Sequence, residues 1–226
     1  MSQKIFEWDE ALSNIVSNAM EFCYPFLIAI SGGSASGKST LARNLVAGLE
    51  KKSSQAKATV LQLDHYYRDF DDLDMPHSPD GSVLFDSPES FLICPYLFGL
   101  RRLLSGESVQ RPDYDQRCNR RVEWKWVRPA PIVIAEGLFT ISIVNRALWS
   151  CSVLKIFLES DLALCRERRL ERDVRELGET PEQVAKMFDE QVVPCYHKYV
   201  LPQRALADII INPPMAETRK ENDHAE

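Results

Sequence analysis

Five short runs of apolar residues recur along the chain, and most of the stretches between them carry apolar residues at helical spacing. The runs occupy residues 26–30, 58–64, 131–137, 153–160 and 207–212. The first run is apolar at every position, which is typical of a strand that a sheet buries on both faces. Strands that alternate with helices predict an α/β fold, here a five-stranded parallel sheet with helices on both faces.

Three further segments have patterns of their own. Apolar residues recur at helical spacing over 5–20, which predicts an amphipathic first helix on the outside of the sheet. The stretch 69–86 is rich in Asp, Pro and Gly, which predicts a long loop of the kind that often carries function. A valine and two tryptophans alternate over 122–126, which predicts a small β-hairpin inserted at about 107–128.

Length and composition favour one globular domain over 1–212, followed by a polar, disordered tail over 213–226. The net charge of −6 argues against a general nucleic-acid or membrane surface and favours a small-molecule partner. Six cysteines without a C-x-x-C pair indicate reduced thiols rather than a zinc site. With no leader pattern and no apolar stretch of about 20 residues, we expect a cytoplasmic protein.

A glycine- and serine-rich stretch with one lysine directly follows the first strand. Gly32, Gly37, Lys38 and Ser39 match G-x-x-x-x-G-K-[ST], the phosphate-binding loop, and a helical pattern follows them. Glycines let successive N–H groups point at one anion, and the helix start adds partial positive charge. Lys38 would reach the β- and γ-phosphates of a nucleoside triphosphate, and the Ser39 hydroxyl would hold Mg²⁺. The predicted nucleotide-binding loop consists of Gly32, Gly33, Ser34, Ala35, Ser36, Gly37, Lys38, Ser39 and Thr40.

Acidic residues end the second and third predicted strands. Asp64 follows "LQL" and Glu136 follows "IVIA". Ligands collect at the carboxyl ends of strands in open α/β sheets, so both carboxylates would face the γ-phosphate if their strands neighbour the first. An Asp at a strand end is otherwise a common turn residue or helix cap. The phosphate loop favours a site here, because Mg²⁺ needs oxygen ligands and an acceptor hydroxyl needs a base.

The helical stretch that ends at Gly178 is rich in arginine. Two of its arginines are explained by i,i+4 pairs with glutamates on an exposed helix. Three others suit a mobile lid, at about 161–180, that brings guanidinium groups onto a transferring phosphate. The exposed pair is Arg166 and Arg175, and the lid arginines are Arg168, Arg169 and Arg172.

Taken together, several segments resemble the uridine kinase group of the phosphoribulokinase/uridine kinase superfamily of P-loop kinases. In chain order they read "SGGSASGKST", "LDHYYRD", "FDSPESF", "RPDYD", "IAEGLF", "RRLERDVRELG" and "VLPQRALADIII". The resemblance runs from about Phe26 to Asn212. It implies a P-loop kinase fold of five parallel strands, a small hairpin over the nucleoside, ATP as phosphate donor and Mg²⁺ as its metal.

The resemblance also implies roles for individual residues. Asp64 matches the family's catalytic base, which takes the proton from the nucleoside 5′-hydroxyl. Asp86 matches the acid that binds the ribose hydroxyls, Tyr114 an aromatic residue beside the base, and Glu136 the strand-end acid near the metal. The predicted catalytic set is completed by Lys38, Arg168 and Arg169, and the remaining predicted substrate contacts are Tyr67, Asn119 and Arg172.

Three positions depart from the family pattern. Asn119 stands where the family has a histidine that reads the nucleobase. Cys165 stands where it has an arginine near the sugar, and Met187 replaces a glutamine near the base. These changes leave phosphoryl transfer intact and bear on the choice of acceptor.

These observations predict an ATP-dependent kinase that phosphorylates the 5′-hydroxyl of a nucleoside, with uridine or cytidine first among the candidates. Nicotinamide riboside, pantothenate and a sugar phosphate remain open as acceptors, and so does a homo-oligomeric state. A non-catalytic nucleotide switch is the rival from another class. It is disfavoured because the N-K-x-D guanine motif is absent and because a switch has no use for Asp64 and Asp86.

Overall fold

The computed structural model describes residues 3–21, 23–53 and 56–213. In these ranges six strands form one parallel sheet and two more form an antiparallel hairpin. The strands are β1 Lys4–Glu7, β2 Phe26–Gly32, β3 Ala58–Gln62, β4 Val109–Asp115, β5 Arg120–Val127, β6 Ile132–Glu136, β7 Ser152–Leu158 and β8 Ile209–Asn212. The sheet order is β1-β8-β7-β2-β6-β3, and β4 pairs with β5.

Helices join the strands and precede the last one. The α-helices are α1 Trp8–Asn18, α2 Lys38–Lys52, α3 Ile93–Leu104, α4 Thr140–Asn145, α5 Leu162–Leu177, α6 Pro181–Met187 and α7 Val193–Cys195. Short 3-10 turns occupy Ala19–Glu21, Leu63–Tyr66, Pro88–Ser90 and Leu201–Leu206. Turns of π-helix at Phe188–Val192 and Tyr196–Val200 flank α7.

Alternate residues of the central strands fill two separate cores, one on each face of the sheet. On one face Phe26, Ile28 and Ile30 of β2 pack with buried residues of α1 and α2. On the other face Leu27 and Ala29 pack with buried residues of α3 and α4. Because side chains of a strand alternate between faces, an entirely apolar β2 needs helices on both sides. The predicted helix–sheet–helix layering is therefore confirmed.

The N-terminal segment differs from its prediction. The sheet has six strands rather than five, because Lys4–Glu7 forms β1 and pairs in parallel with β8. The first helix consequently begins at Trp8 instead of residue 5, and it ends at Asn18. Ile5 fits the helical spacing only by coincidence, since its side chain lies exposed on the edge strand. Sequence periodicity misses this strand because its pairing partner lies about 200 residues away along the chain.

The other predicted elements are present with small changes at their ends. The hairpin consists of β4 and β5, within the predicted 107–128. The predicted loop 69–86 contains neither an α-helix nor a strand of the sheets, and a bidentate ion pair from Arg121 to Asp69 ties its start to the hairpin. Of the predicted tail, 213–226, all but Pro213 lies outside the described residues.

Two findings concern the cysteines and the helices. All six cysteines are unpaired thiols in the structure. Within the described ranges, none of the helices is long and apolar enough to cross a membrane. The buried thiols of Cys165 and Cys195 lie on α5 and on α7, where they act as small apolar side chains.

Gly137 follows the last residue of β6 and lies against the turn that carries Asp64. Its φ of +153° is a conformation that residues with a side chain rarely adopt. A Cβ at this position would lie 2.4 Å from the Cβ of Leu63, which is far inside van der Waals contact. The close approach of these two segments therefore requires a glycine.

We expect Gly137→Ala to lower the free energy of unfolding by about 3 kcal/mol, because it adds overpacking to backbone strain. Gly106→Ala is the matched control: its φ is +80°, and in the described chain nothing lies within 4 Å of the added carbon. The control should lose only about 1 kcal/mol, the cost of a left-handed conformation. Urea unfolding of both variants measures the difference, and equal losses would contradict the proposed contact with Leu63.

Candidate active site

The phosphate-binding loop lies between β2 and α2, at the carboxyl edge of the sheet. Gly37 precedes α2 with a φ of +102°, which turns the chain into the helix. Lys38 is the first residue of α2, and its buried Nζ donates a hydrogen bond of 2.8 Å to the carbonyl of Gly33. The loop thus presents backbone N–H groups, a helix start and a held ammonium group to the same space, which suits polyphosphate binding.

Glu136 ends β6 beside this loop. Its Oε1 accepts hydrogen bonds from Ser39 Oγ at 2.8 Å and from Gln62 Nε2 at 2.7 Å. Its Oε2 is buried and has no hydrogen-bond partner among the described residues. An unpartnered buried carboxylate oxygen beside a serine hydroxyl fits a hard cation such as Mg²⁺. Ser39 and Glu136 are therefore the residues that would hold the metal.

Asp64 lies in the 3-10 turn Leu63–Tyr66, directly after β3. One of its carboxylate oxygens is buried and lacks a hydrogen-bond partner within the described residues. The pKa of Asp64 is raised to about 6, first by burial and then by the negative charge of Glu136, and the ammonium group of Lys38 partly opposes this rise. A carboxylate with a raised pKa is a stronger base, which suits removal of a proton from a hydroxyl group.

Aromatic residues and an acid form the other end of the site. The rings of Tyr67 and Tyr114 lie 5.2 Å apart, and those of Tyr67 and Phe85 lie 6.2 Å apart. Asp86 is buried beside them. Asn119 lies in the hairpin turn with a φ of +51°, and its Oδ1 lies 3.5 Å from the hydroxyl of Tyr114. An apolar wall with few polar groups is typical of a pocket for a planar organic ligand.

Arg169 of the predicted lid joins three parts of the site. It donates hydrogen bonds to Asp86 at 2.9 Å, to Ser34 Oγ at 3.0 Å and to Asp173 at 3.1 Å. Arg172 also donates to Asp173, at 2.7 Å. The structure therefore places Arg169 between Asp86 and the phosphate-binding loop. This buried arginine pairs with two carboxylates and connects α5 to Asp86 and to the loop.

The two arginines assigned to the exposed face of the lid helix do lie at the surface. Arg175 is 3.8 Å from Glu171, the i,i+4 pair that the sequence predicts, and it also contacts Glu176. Arg166 forms a bidentate pair with Asp189 rather than with a residue of its own helix. Ion pairs this exposed contribute little to stability.

One cavity of about 460 Å³ connects these groups. Every predicted site residue lines it except Gly32, Gly33 and Glu136. Met187, one of the three departures from the family pattern, also lines it, whereas Cys165 packs against Phe188 in a small apolar cluster.

Sequence reasoning missed several residues that contribute to the site. Phe85 lies next to the predicted Asp86, so its position in "FDSPESF" was an available signal. Gln62 had a weaker signal, since it is a polar residue at the end of an apolar strand. Trp8 and Asp173 had none, because a tryptophan at helical spacing is usually a core residue and an acid among arginines is usually a surface partner.

The chain matches a known protein family over most of its length. Residues 27–218 match the model of the phosphoribulokinase/uridine kinase family. A uridine kinase from Leuconostoc citreum (strain KM20) is 38% identical over 190 residues, which are 83% of this chain and 87% of that protein. A uridine kinase from Deinococcus deserti is 34% identical over 188 residues, 83% of this chain and 87% of that protein.

Solved structures share the fold at lower sequence identity. A proposed fructose transport system kinase from Silicibacter sp. TM1040 superposes with a TM-score of 0.66 at 21% identity, over 90% of this chain and 98% of that one. A protein from Bacillus stearothermophilus described as a possible uridine kinase superposes with a TM-score of 0.56 at 14% identity, over 90% of this chain and 98% of that one. At these identities the likeness supports the α/β fold alone.

The raised pKa of Asp64 predicts a pH-dependent difference in stability between wild type and Asp64→Asn. Because the pKa is raised from 3.8 to about 6, the folded protein holds this proton more tightly than the unfolded chain. The wild type therefore loses free energy of unfolding as pH rises through that window, and the Asn variant does not. From about pH 4.5 to about pH 7.5 the variant should gain about 1 to 2 kcal/mol relative to wild type. Urea unfolding at both pH values checks this, and a constant difference would contradict the raised pKa.

Proposed function

The chain belongs to the phosphoribulokinase/uridine kinase family, and we propose that it transfers the γ-phosphate of ATP to the 5′-hydroxyl of uridine or cytidine. The observation that carries the proposal is the single cavity in which Lys38 of the phosphate loop, the base candidate Asp64 and the aromatic acceptor end meet. Named uridine kinases at 34–38% identity support a nucleoside as acceptor.

The donor half of the reaction uses the loop and the start of α2. Backbone N–H groups of the loop bind the β- and γ-phosphates, and the ammonium group of Lys38 exchanges the Gly33 carbonyl for phosphate oxygens. Ser39 and Glu136 would hold Mg²⁺, which would neutralise charge on the phosphates. Arg168 and Arg172, which line the same cavity from α5, add positive charge around the transferring group.

The acceptor half of the reaction uses Asp64 and Asp86. The carboxylate of Asp64 accepts the proton of the 5′-hydroxyl as that oxygen forms a bond to the γ-phosphorus, and the bond from phosphorus to ADP breaks. Asp86 accepts hydrogen bonds from the ribose hydroxyls. Arg169 bonds only Oδ2 of Asp86, and a carboxylate has the capacity to accept several hydrogen bonds at once.

The nucleobase lies against the aromatic wall of Tyr67, Phe85 and Tyr114, with Asn119 at its edge. An Asn side chain offers both a donor and an acceptor, so it can bond the group at position 4 of uracil or of cytosine. Because Asn is shorter than the family's histidine, a water molecule is expected to bridge the gap.

A panel of acceptors with MgATP, assayed by ADP release, tests the proposal. Wild type should phosphorylate uridine or cytidine, and Asp64→Asn should lose about 10² to 10⁴ in kcat while MgATP still binds by calorimetry. Asp71→Asn is the matched control, because it removes an exposed acid that pairs with Arg120 and leaves the cavity unchanged. Full transfer by Asp64→Asn would show that this residue is not the base. No transfer to any nucleoside by wild type would exclude the function.

Asn119→His tests whether the site recognises a pyrimidine. Histidine tolerates the positive φ at this position, and it restores the reach of the family's residue. If the acceptor is a pyrimidine nucleoside, kcat/KM for uridine should stay equal or rise by up to about tenfold, which corresponds to the net free-energy contribution of one hydrogen bond. Uridine, cytidine and nicotinamide riboside are compared in both forms. Negligible uridine activity in both, beside robust transfer to another acceptor, would assign this kinase a different substrate.

A further inference from the structure

Two residues that line the cavity belong neither to the phosphate-binding loop nor to the acceptor end. The acceptor end includes Asp64 and Tyr67, which follow β3 at one edge of the sheet. The two residues are Trp8, which follows β1, and Pro213, which follows β8. These strands are the last two at the opposite edge of the sheet.

The pairing of the two edge strands brings Trp8 and Pro213 together. Glu7, the last residue of β1, pairs with Asn212, the last residue of β8. Trp8 and Pro213 are the next residue of each strand, so both emerge at the same edge of the sheet as the loop. The indole ring of Trp8 reaches back to the loop, where it lies 3.9 Å from the place that a Cβ of Gly37 would take.

A nucleoside triphosphate bound by the loop must extend in one of two directions. Its γ-phosphate faces the acceptor, which takes the β3 side, so its ribose and base extend toward β8 and β1. The spacing of strands puts β8 about 10 Å from β2, which leaves room for a sugar between the loop and the edge strands. An indole ring and a proline ring are the flat apolar surfaces on which a nucleobase stacks.

We propose that Trp8 and Pro213 form the subsite for the nucleobase of the phosphate donor, with Trp8 as the stacking residue. The inference rests on the proposed function only in taking a nucleoside triphosphate as the loop's ligand. Trp8 precedes the family match, which begins at residue 27. The N-terminal strand and helix therefore complete the donor site from outside the shared kinase core.

The simpler role for Trp8 is packing, because its side chain is 9% exposed and belongs to the core beneath α1 and α2. The two roles predict different measurements. A packing residue affects the whole loop, so its loss weakens every polyphosphate ligand together. A base-stacking residue affects only ligands that carry a base.

Calorimetry with MgATP and with magnesium tripolyphosphate, which has no base, separates these roles. In wild type, ATP should bind more tightly than tripolyphosphate. In Trp8→Leu the preference for ATP over tripolyphosphate should fall by about tenfold, which lies within the range of binding free energy of one base–aromatic stack. The affinity for tripolyphosphate should stay within about twofold of the wild-type value. Thermal unfolding confirms that the variant is folded.

Fluorescence provides a second readout. Its variants replace a tryptophan by phenylalanine, which removes the fluorophore and keeps an aromatic side chain. The matched control is Trp149, which packs against the core on the opposite face of the sheet. Its indole Nε1 donates a hydrogen bond of 2.8 Å to the Val144 carbonyl. MgATP should change the tryptophan emission of wild type and of Trp149→Phe. In Trp8→Phe the change should disappear, while ATP affinity stays within about threefold because phenylalanine still stacks.

Two results would overturn the inference: equal weakening of ATP and tripolyphosphate in Trp8→Leu, or an ATP-induced emission change that persists in Trp8→Phe. These assays contain no acceptor, so they are independent of acceptor identity. A protein that phosphorylates no nucleoside but keeps its Trp8-dependent preference for ATP would refute the proposed function and leave this inference supported.

Discussion

The rest of the site depends on one constraint, which is that Glu136 ends one parallel strand and Asp64 follows the end of its neighbour, so that two partly unpartnered carboxyl groups lie at one edge of the sheet. The register of the sheet places Ile30, Glu136 and Gln62 side by side on β2, β6 and β3. Glu136 is only 1% exposed, and a buried carboxylate is costly unless donors surround it. Ser39 and Gln62 donate to one of its oxygens, which ties the loop helix and β3 to β6. The other oxygen and Asp64 remain as negative charge that a cation would balance.

This local arrangement explains why much of the site could be predicted from the sequence. The loop motif is contiguous, and Asp64 and Glu136 each follow an apolar strand, so neighbours in sequence identify them. The direction of parallel strands then brings both to one edge. Whether they approach each other depends on strand order, and the order β2-β6-β3 meets that condition.

Features that sequence reasoning missed arise from contacts between distant segments. Strand β1 has an exposed, partly polar sequence, and only its pairing with β8 makes it a strand. Trp8 follows the helical spacing of a core residue, and its second role depends on that same edge pairing. Arg169 and Asp86 are 83 residues apart, so no local pattern signals their ion pair. Long-range pairing, rather than local propensity, therefore decides these features.

Along α5, Cys165 and Arg169 make different contacts from successive turns of the helix. Cys165 and Arg169 are four residues apart and lie on the same face of α5. The cysteine, being small and apolar, packs against Phe188 and Val192, which brings this face of the helix close to the segment that follows α6. One turn later, Arg169 places its guanidinium group on Asp86 and Ser34. A positive charge beside Asp86 is thus present without an arginine at 165. Arg169 is therefore the residue of α5 that pairs with Asp86, while Cys165 anchors the helix by packing.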